Sequence, residues 1–276
     1  MSLYFDHVVL KVNDLEQSIK DFESQGFTVS RGGIHGGSLS ENALIYFKDD
    51  SFIELFCLTK SFKSTVLRFL HHNRIFRRFQ YSAKWGLAYR FYSRSLELKE
   101  GISDICFLSD GFDQECIRID KGGLFLAKVL IASRRLIDKS RIKWQMVSPF
   151  INEMPFFRSP YQPVREIDDK LKAHKNGAEG LGKVVIMALD FKDTVSKYQI
   201  FLGQDPIPSI SDEKFKTTFR LKQTKVEILK ASEDQLVLDK IRGRGIGIYG
   251  LQLIGSDFQL NHIDESKLHG LALIDK

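Results

Sequence analysis

The chain has little of several things, and each shortage narrows its class. Only three of its 276 residues are cysteines, Cys57, Cys106 and Cys116. They are odd in number and none is spaced as CxxC, which excludes a disulfide framework and a zinc-finger set. They read as reduced thiols of a cytoplasmic protein, each packed as a small apolar group. No run of about 18 apolar residues occurs, so no membrane-spanning helix is expected. The first residues lack the basic stretch and apolar core of a secretory leader. A Walker loop, GxSxG and HExxH are also absent from the sequence. Tryptophan is scarce, at two residues, but phenylalanine is abundant, at 22, and aromatic residues suit half-buried sheets. With 43% hydrophobic and 28% charged residues, the composition excludes a disordered chain.

One local shortage bears on partners. Between residues 60 and 94 there is no aspartate or glutamate, while Lys63, Arg68, Arg74, Arg77, Arg78, Lys84, Arg90 and Arg94 all fall there. The formal net charge of +6 is therefore unevenly spread. Val66, Leu67, Phe69, Leu70, Ile75, Phe76 and Phe79 recur through the segment at roughly helical spacing, which predicts an amphipathic helix. Two readings stand side by side. The segment is a connecting helix with a solvated polar face, or a basic surface for an acidic ligand or partner. No nucleic-acid motif accompanies it, so nucleic acid is not an expected partner.

What is present is a unit that recurs. Asp6-His7-Val8-Val9-Leu10 predicts a strand over 5–12, Asn13-Asp14 a helix cap, and Leu15, Ile19 and Phe22 a helix that Gly26 ends. A short strand over 27–30 and the turn-rich Gly32-Gly33-Ile34-His35-Gly36-Gly37 follow. Residues 42–48 and 51–58 then form a hairpin about Asp49-Asp50. The same βαβββ pattern returns late in the chain, with a strand over 183–189, a helix capped by Asp190 and closed at Gly203, and a hairpin over 215–221 and 224–230. A weaker copy starts at 102–110, with Asp110 as its expected cap and strands at 141–147 and 154–158. A truncated fourth start lies at 247–255. A unit with one bare sheet face must pair with another. The expected architecture is an α+β fold of paired βαβββ modules in two domains. The first is 1–169, made of modules 1–60 and 101–165 with a basic helical insertion at 61–95; the second is 181–276. Pairing within one chain or between two, as in a homodimer, stays open.

Gly245-Ile246-Gly247-Ile248-Tyr249-Gly250 spells the dinucleotide-binding GxGxxG. That pattern works only between a strand and a helix, where phosphate meets a helix N-terminus. Here Arg242-Gly243-Arg244 precedes it and the strand-like Leu251-Gln252-Leu253-Ile254 follows, so the glycines read as a bulge or turn and no nucleotide cofactor is expected.

These residues carry a family likeness. Asp6-His7-Val8-Val9-Leu10, Gly26-Phe27-Thr28-Val29, Gly32-Gly33-Ile34-His35-Gly36, Asn42-Ala43-Leu44-Ile45 and Phe52-Ile53-Glu54-Leu55 resemble the vicinal oxygen chelate superfamily, which includes glyoxalase I, extradiol dioxygenases and bleomycin-resistance proteins. More narrowly the chain resembles bacterial glyoxalase-like domain proteins, with Trp85-Gly86-Leu87-Ala88, Arg134, Asp138, Lys143-Trp144 and Met154-Pro155-Phe156-Phe157 continuing the match. The resemblance implies a divalent metal (Mn, Fe, Co, Ni or Zn) in a sheet-lined cup, held from the first and last strand of each module. His7 and Glu54 fit those places. Aligned through Asp110, the partner module offers Ser103 opposite His7, and Phe157 or Arg158 near the glutamate place, so only Asp104 or His35 could add a ligand. The late copy offers Lys183 and Glu227, which read as an ion pair.

The resemblance implies lyase, isomerase or dioxygenase chemistry with Glu54 as the proton carrier. The ligand of that cup is expected to be a small polar or anionic molecule. The rival is a non-enzymatic protein that sequesters a drug or metabolite on its aromatic residues without metal. Read from residue type alone, each candidate has a second role: His7 as a hydrogen-bonded core histidine, Glu54 as half of a salt bridge. His35 in its glycine-rich loop covers a ligand or lies on the surface. Asn42 is a polar contact of the cup. Trp85 and Trp144 stack on a ligand or pack in the core. Arg134 clamps an anion or is solvated.

Overall fold

The structure is a computed structural model and describes residues 3–35, 39–79, 86–135, 140–151, 153–207, 215–231, 238 and 246–275. The side chains of residues 34, 35, 135 and 246 lie outside that description, as do Trp85 and Asp138 altogether.

β1 (Tyr4–Lys11), α1 (Leu15–Ser24), β2 (Ser30–His35), β3 (Ser40–Tyr46) and β4 (Phe52–Leu58) form the first βαβββ set. The insertion after it holds α2 (Phe62–His72), a 3-10 turn at Phe76–Phe79 and α3 (Gly86–Glu97). A second set follows as β5 (Gly101–Leu108), α4 (Phe112–Lys121), β6 (Leu130–Arg135), β7 (Arg141–Val147) and β8 (Phe156–Arg158). After the short α5 (Asp169–Lys172) come β9 (Gly180–Ala188), α6 (Phe191–Leu202), β10 (Lys216–Leu221), β11 (Thr224–Lys230) and β12 (Ile246–Ile254).

The first two sets merge into one sheet of eight strands in the order β2-β3-β4-β1-β5-β8-β7-β6. β1 runs parallel to β4, β5 runs parallel to β8, and the two halves join antiparallel through β1 and β5. The sheet curls until its outer strands approach, with Gly33 of β2 lying against the Arg134 side chain of β6. A second sheet, β10-β11-β9-β12, repeats the central register: Val185 pairs with Glu227 on parallel strands as Val9 pairs with Glu54.

Local chemistry accounts for most elements. Asp14 caps α1 by accepting from the Gln17 N–H at 3.1 Å, and Gly26 leaves the helix at φ +81°. Asp190 and Gly203 do the same for α6. α2 opens with a reciprocal Ser61–Ser64 capping box. β1 is buried on both faces, which explains its unbroken Val8-Val9-Leu10. One core joins the convex face of the large sheet, α1, α4, α6 and the second sheet, with Phe107 edge-on to both Phe5 (5.7 Å) and Phe201 (5.4 Å). Arg118 of α4 locks this contact by donating to the carbonyls of Ile200 and Phe201 at the end of α6.

Four local expectations need correction. α4 is capped by Gly111, because Asp110 instead accepts from the Tyr4 hydroxyl. Residues 27–29 are not a strand; Thr28 is tied to His174 and Ala173, and the strand is Ser30–His35, running into the expected turn. Glycine fits inside β2 because a Cβ at Gly32 would run into Asn42 Oδ1. β6 was not anticipated, since Leu130–Arg135 does not alternate cleanly. Finally, Arg90 and Arg94 of the insertion are buried rather than solvated. The GxGxxG glycines do lie in a strand, β12, with a register shift between Ile248 and Gly250; Gly245 is outside the described residues.

Because Phe107 is fully buried where the two sheets share a core, Phe107→Ala should cost about 3–5 kcal/mol. Denaturant unfolding followed by far-UV circular dichroism and tryptophan fluorescence should move to lower midpoint as one coincident transition. Two separated transitions would contradict a shared core.

Candidate functional site

The concave face of the large sheet is the candidate site. Its centre is β1, where a register shift at Asp6 turns that residue's carboxylate to the same side as His7. His7 Nδ1 lies 2.6 Å from Asp6 Oδ2, and His7 Nε2 faces Glu54 Oε2 at 3.5 Å. Glu54 Oε1 accepts from Asn42 Nδ2 at 2.5 Å. The imidazole stacks on Phe52 at 4.3 Å and meets Phe156 edge-on at 5.8 Å. Burial works against a charged imidazole here, but Cys106, the Asp6 carboxylate and Glu54 outweigh it. The His7 pKa is therefore held well above the ordinary histidine range. Burial also lifts the Cys106 thiol, to about 11.

Arg158 of β8 completes the floor. It reaches across β5 to grip Asp6 with two charge-assisted bonds, Nε–Oδ2 at 2.7 Å and Nη2–Oδ1 at 2.8 Å, and its guanidinium lies 4.2 Å over the Tyr161 ring. Burial pushes the Asp6 carboxyl up, and Arg158 and His7 outweigh that, bringing it down to about 2.

The other half of the cup is filled. Arg90 and Arg94 stand one turn apart on α3 and both bind Asp104, Arg90 in bidentate form at 2.7 and 2.7 Å. Arg90 also donates to the Met154 carbonyl at 2.6 Å. Leu87 and Phe91 of the same helix pack on Val9, Cys106 and Phe156. The Asp104 carboxyl is raised by burial and lowered more strongly by the two arginines.

Asp6, His7 and Cys106 offer ligand atoms within 4.8 Å of one another and form a group that could hold a metal ion. However, Asp6 is already gripped by Arg158, and both imidazole nitrogens face carboxylates. Matching Leu15 with Phe112 and Gly26 with Gly123 puts Asp104, not Ser103, in the place of His7. Phe156 then stands in the place of Glu54. Asp104 is neutralised by two guanidinium groups and Phe156 has no ligand atom. His7 and Glu54 alone remain, so the residues present do not fit a metal held from four strand positions. In the second sheet Lys183 approaches Glu227 at 3.8 Å and Lys216 approaches it at 3.4 Å, an ion-pair arrangement.

Of the residues singled out from the sequence, His7, Glu54 and Asn42 form one continuous chain of contacts. Arg134 is buried beside Gly32, where Asn42 also points. Trp144 shares a strand face with Met146 and meets Tyr161 at right angles, 5.2 Å between ring centres. The His35 backbone belongs to β2; its side chain is outside the described residues. Sequence reading missed Asp6, Arg158, Arg90 and Arg94. The i, i+4 spacing of Arg90 and Arg94, interleaved with Leu87 and Phe91, was the available signal for a buried basic face. The bulge that recruits Asp6 left none.

The class this architecture defines is that of paired βαβββ modules with a central cup, the vicinal oxygen chelate superfamily. A family model described as "Glyoxalase-like domain" matches residues 5–202, and the chain belongs to that family. No curated protein matches the chain. Among solved structures it is similar to a hypothetical protein from Staphylococcus aureus (TM-score 0.66, 16% identity, 92% of each chain covered). It is also similar to a xylose isomerase-like TIM barrel/4-hydroxyphenylpyruvate dioxygenase fusion protein (TM-score 0.50, 10% identity), covering 91% of this chain and 37% of that one. A weaker likeness, to methylmalonyl-CoA epimerase from Mycobacterium tuberculosis, has a TM-score of 0.35 at 18% identity and covers 62% of this chain and 92% of that one. The first two likenesses are of fold.

The ion network gives a pH prediction. A carboxyl whose pKa is depressed on folding adds stability above its unfolded value, and that stability is lost as pH falls through the folded value. For Asp6 the window runs from about pH 4 down to about 2, and Asp104 contributes in the same direction. Asp6→Asn leaves Arg158 buried without its counter-charge and should cost about 3–5 kcal/mol at neutral pH, with a flatter fall in stability below pH 4. Urea titrations at stepped pH would show it; an unchanged acid slope would remove Asp6 from the account.

Proposed function

We propose that the chain binds a small anionic molecule, a carboxylate in the simplest case, between Arg134, Asn42 and the His7–Glu54 pair. The observation that carries this reading is a pair of unanswered polar atoms. Asn42 Oδ1 and Arg134 Nε are buried, have no hydrogen-bond partner among the described residues, and belong to side chains that converge on Gly32. A buried, unanswered donor of this kind carries a desolvation cost that a ligand carboxylate would relieve. Trp144 and Tyr161, packed edge to face, supply aromatic surface on the same half of the sheet. In this reading the site belongs to the N-terminal domain, residues 1–169, and 181–276 is a degenerate copy in which Lys183 takes the place of His7.

The pair at the floor gives the site a chemical capacity. A ligand proton placed beside Glu54 can move onto that carboxylate, and His7, fixed by Asp6, sets the orientation and charge next to it. A metal-dependent lyase, isomerase or dioxygenase would instead need Mn, Fe, Co, Ni or Zn on His7 and Glu54. The guanidinium groups on Asp6 and Asp104 favour the metal-free binding reading.

Calorimetric titration with a panel of small mono- and dicarboxylates should find at least one that binds. Arg134→Ala should weaken it by roughly tenfold to a hundredfold, the worth of one charge-assisted hydrogen bond. A carboxylate bound equally well by Arg134→Ala, or no binding across the panel, would sink the proposal. Metal analysis of protein purified without chelators tests the rival: stoichiometric metal that disappears in both His7→Ala and Glu54→Ala would replace the binding reading by a metal-dependent one.

A further inference from the structure

The insertion has a second face that the cup does not use. α2 packs Leu67 against Phe76 and Tyr89, buries Ser64 in its capping box, and turns Phe62, Val66 and Phe69 outward. Those three stand at i, i+4 and i+7, so they form one stripe along the helix. Phe62 is 83% exposed and Phe69 63% exposed, values that place whole rings in water. Ile75 and Phe79 extend the apolar surface beyond the helix end. Lys63 lies on one flank of the stripe and Arg68 and His72 on the other, and Arg74, Arg77 and Arg78 are exposed next to Ile75 and Phe79.

The charge of this surface is set by the sequence. Residues 60–94 contain no acidic residue, and the rest of the chain holds more acidic than basic residues. The positive surplus of the protein is thus carried by the insertion. Exposed apolar residues occur elsewhere, Ile117 and Phe125 among them, but without such a basic surround.

We propose that α2 and the turn after it form a docking surface for a bilayer that contains anionic phospholipid. Aromatic side chains aligned along one helix face with basic residues on both flanks match a surface whose outer layer is negative and whose interior is apolar. A second copy of the chain fits less well, because self-pairing through this patch would bring the basic flanks together. Nucleic acid fits less well too, because the centre of the outward face carries rings rather than cations. Among the described residues no helix is long and apolar enough to cross the bilayer.

Co-sedimentation of the full chain with vesicles tests this. Vesicles containing phosphatidylglycerol should carry the protein down at low salt, and pure phosphatidylcholine vesicles should not. Phe62→Ser/Phe69→Ser and Arg74→Glu/Arg77→Glu should each weaken binding by roughly tenfold or more. These side chains are exposed, so the melting temperature should hold, and Ile117→Ser/Phe125→Ser should bind like the parent. Four results with the protein and vesicles, and a fifth with nucleic acid, would overturn the proposal. The first is no sedimentation with anionic vesicles; the second is equal binding to phosphatidylcholine. The third is undiminished binding by the double serine variant. The fourth is a parent protein that is dimeric in light scattering and made monomeric by that variant. Salt-sensitive capture of DNA or RNA in place of vesicles would assign the patch to nucleic acid instead.

Discussion

The interaction on which the cup depends is the grip of Arg158 on Asp6. The two residues stand on β8 and β1, with β5 between them, so the pair spans the seam where one βαβββ set meets the other. It forms because a single bulge turns Asp6 inward, and its consequences spread along the floor. Asp6 holds one nitrogen of His7, which leaves the other facing Glu54, and Glu54 in turn orients Asn42. A second charged knot, Arg90–Asp104–Arg94, anchors the insertion to the same floor. Buried charges are tolerated only when paired and hydrogen-bonded, and each of these carboxylates meets that condition with guanidinium groups.

The fold was legible because its signals are periodic and local. Val8-Val9-Leu10 and Val184-Val185-Ile186 mark central strands, Asp14 and Asp190 mark caps, and Gly26 and Gly203 mark helix ends. The likeness of His7 and Lys183, and of Glu54 and Glu227, is visible by eye and holds in the strand registers. The candidate site was legible in part: Asn42, Glu54 and His7 were picked out and they touch. What escaped was everything that depends on a shift of one residue. Asp110 looks like a helix cap but serves Tyr4, so α4 starts later and Asp104 rather than Ser103 takes the place of His7. Strand bulges at Asp6 and Ser103 follow from how β1 and β5 accommodate one another, a tertiary matter with no signature in either segment alone.

The insertion shows how charge can mislead when read without a face. A run of basic residues with no acids suggests one solvated surface. Helix geometry splits it. Arg90 and Arg94 share a side with Leu87 and Phe91 and go inward, while Arg74, Arg77 and Arg78 go outward with Ile75 and Phe79. The same stretch therefore neutralises the cup from within and charges the molecule from without.

Gly32 carries a consequence for how the sheet can change over generations. It sits on one outer strand where Asn42 and Arg134, from a neighbouring strand and from the opposite edge, crowd the space a side chain would take. Three positions on three strands, far apart in sequence, are thereby made to vary as one. A larger residue at position 32 requires a shorter one at 42, which removes the partner of Glu54, and a small displacement of the Arg134 guanidinium. A drift in any one of the three should leave its trace in the other two.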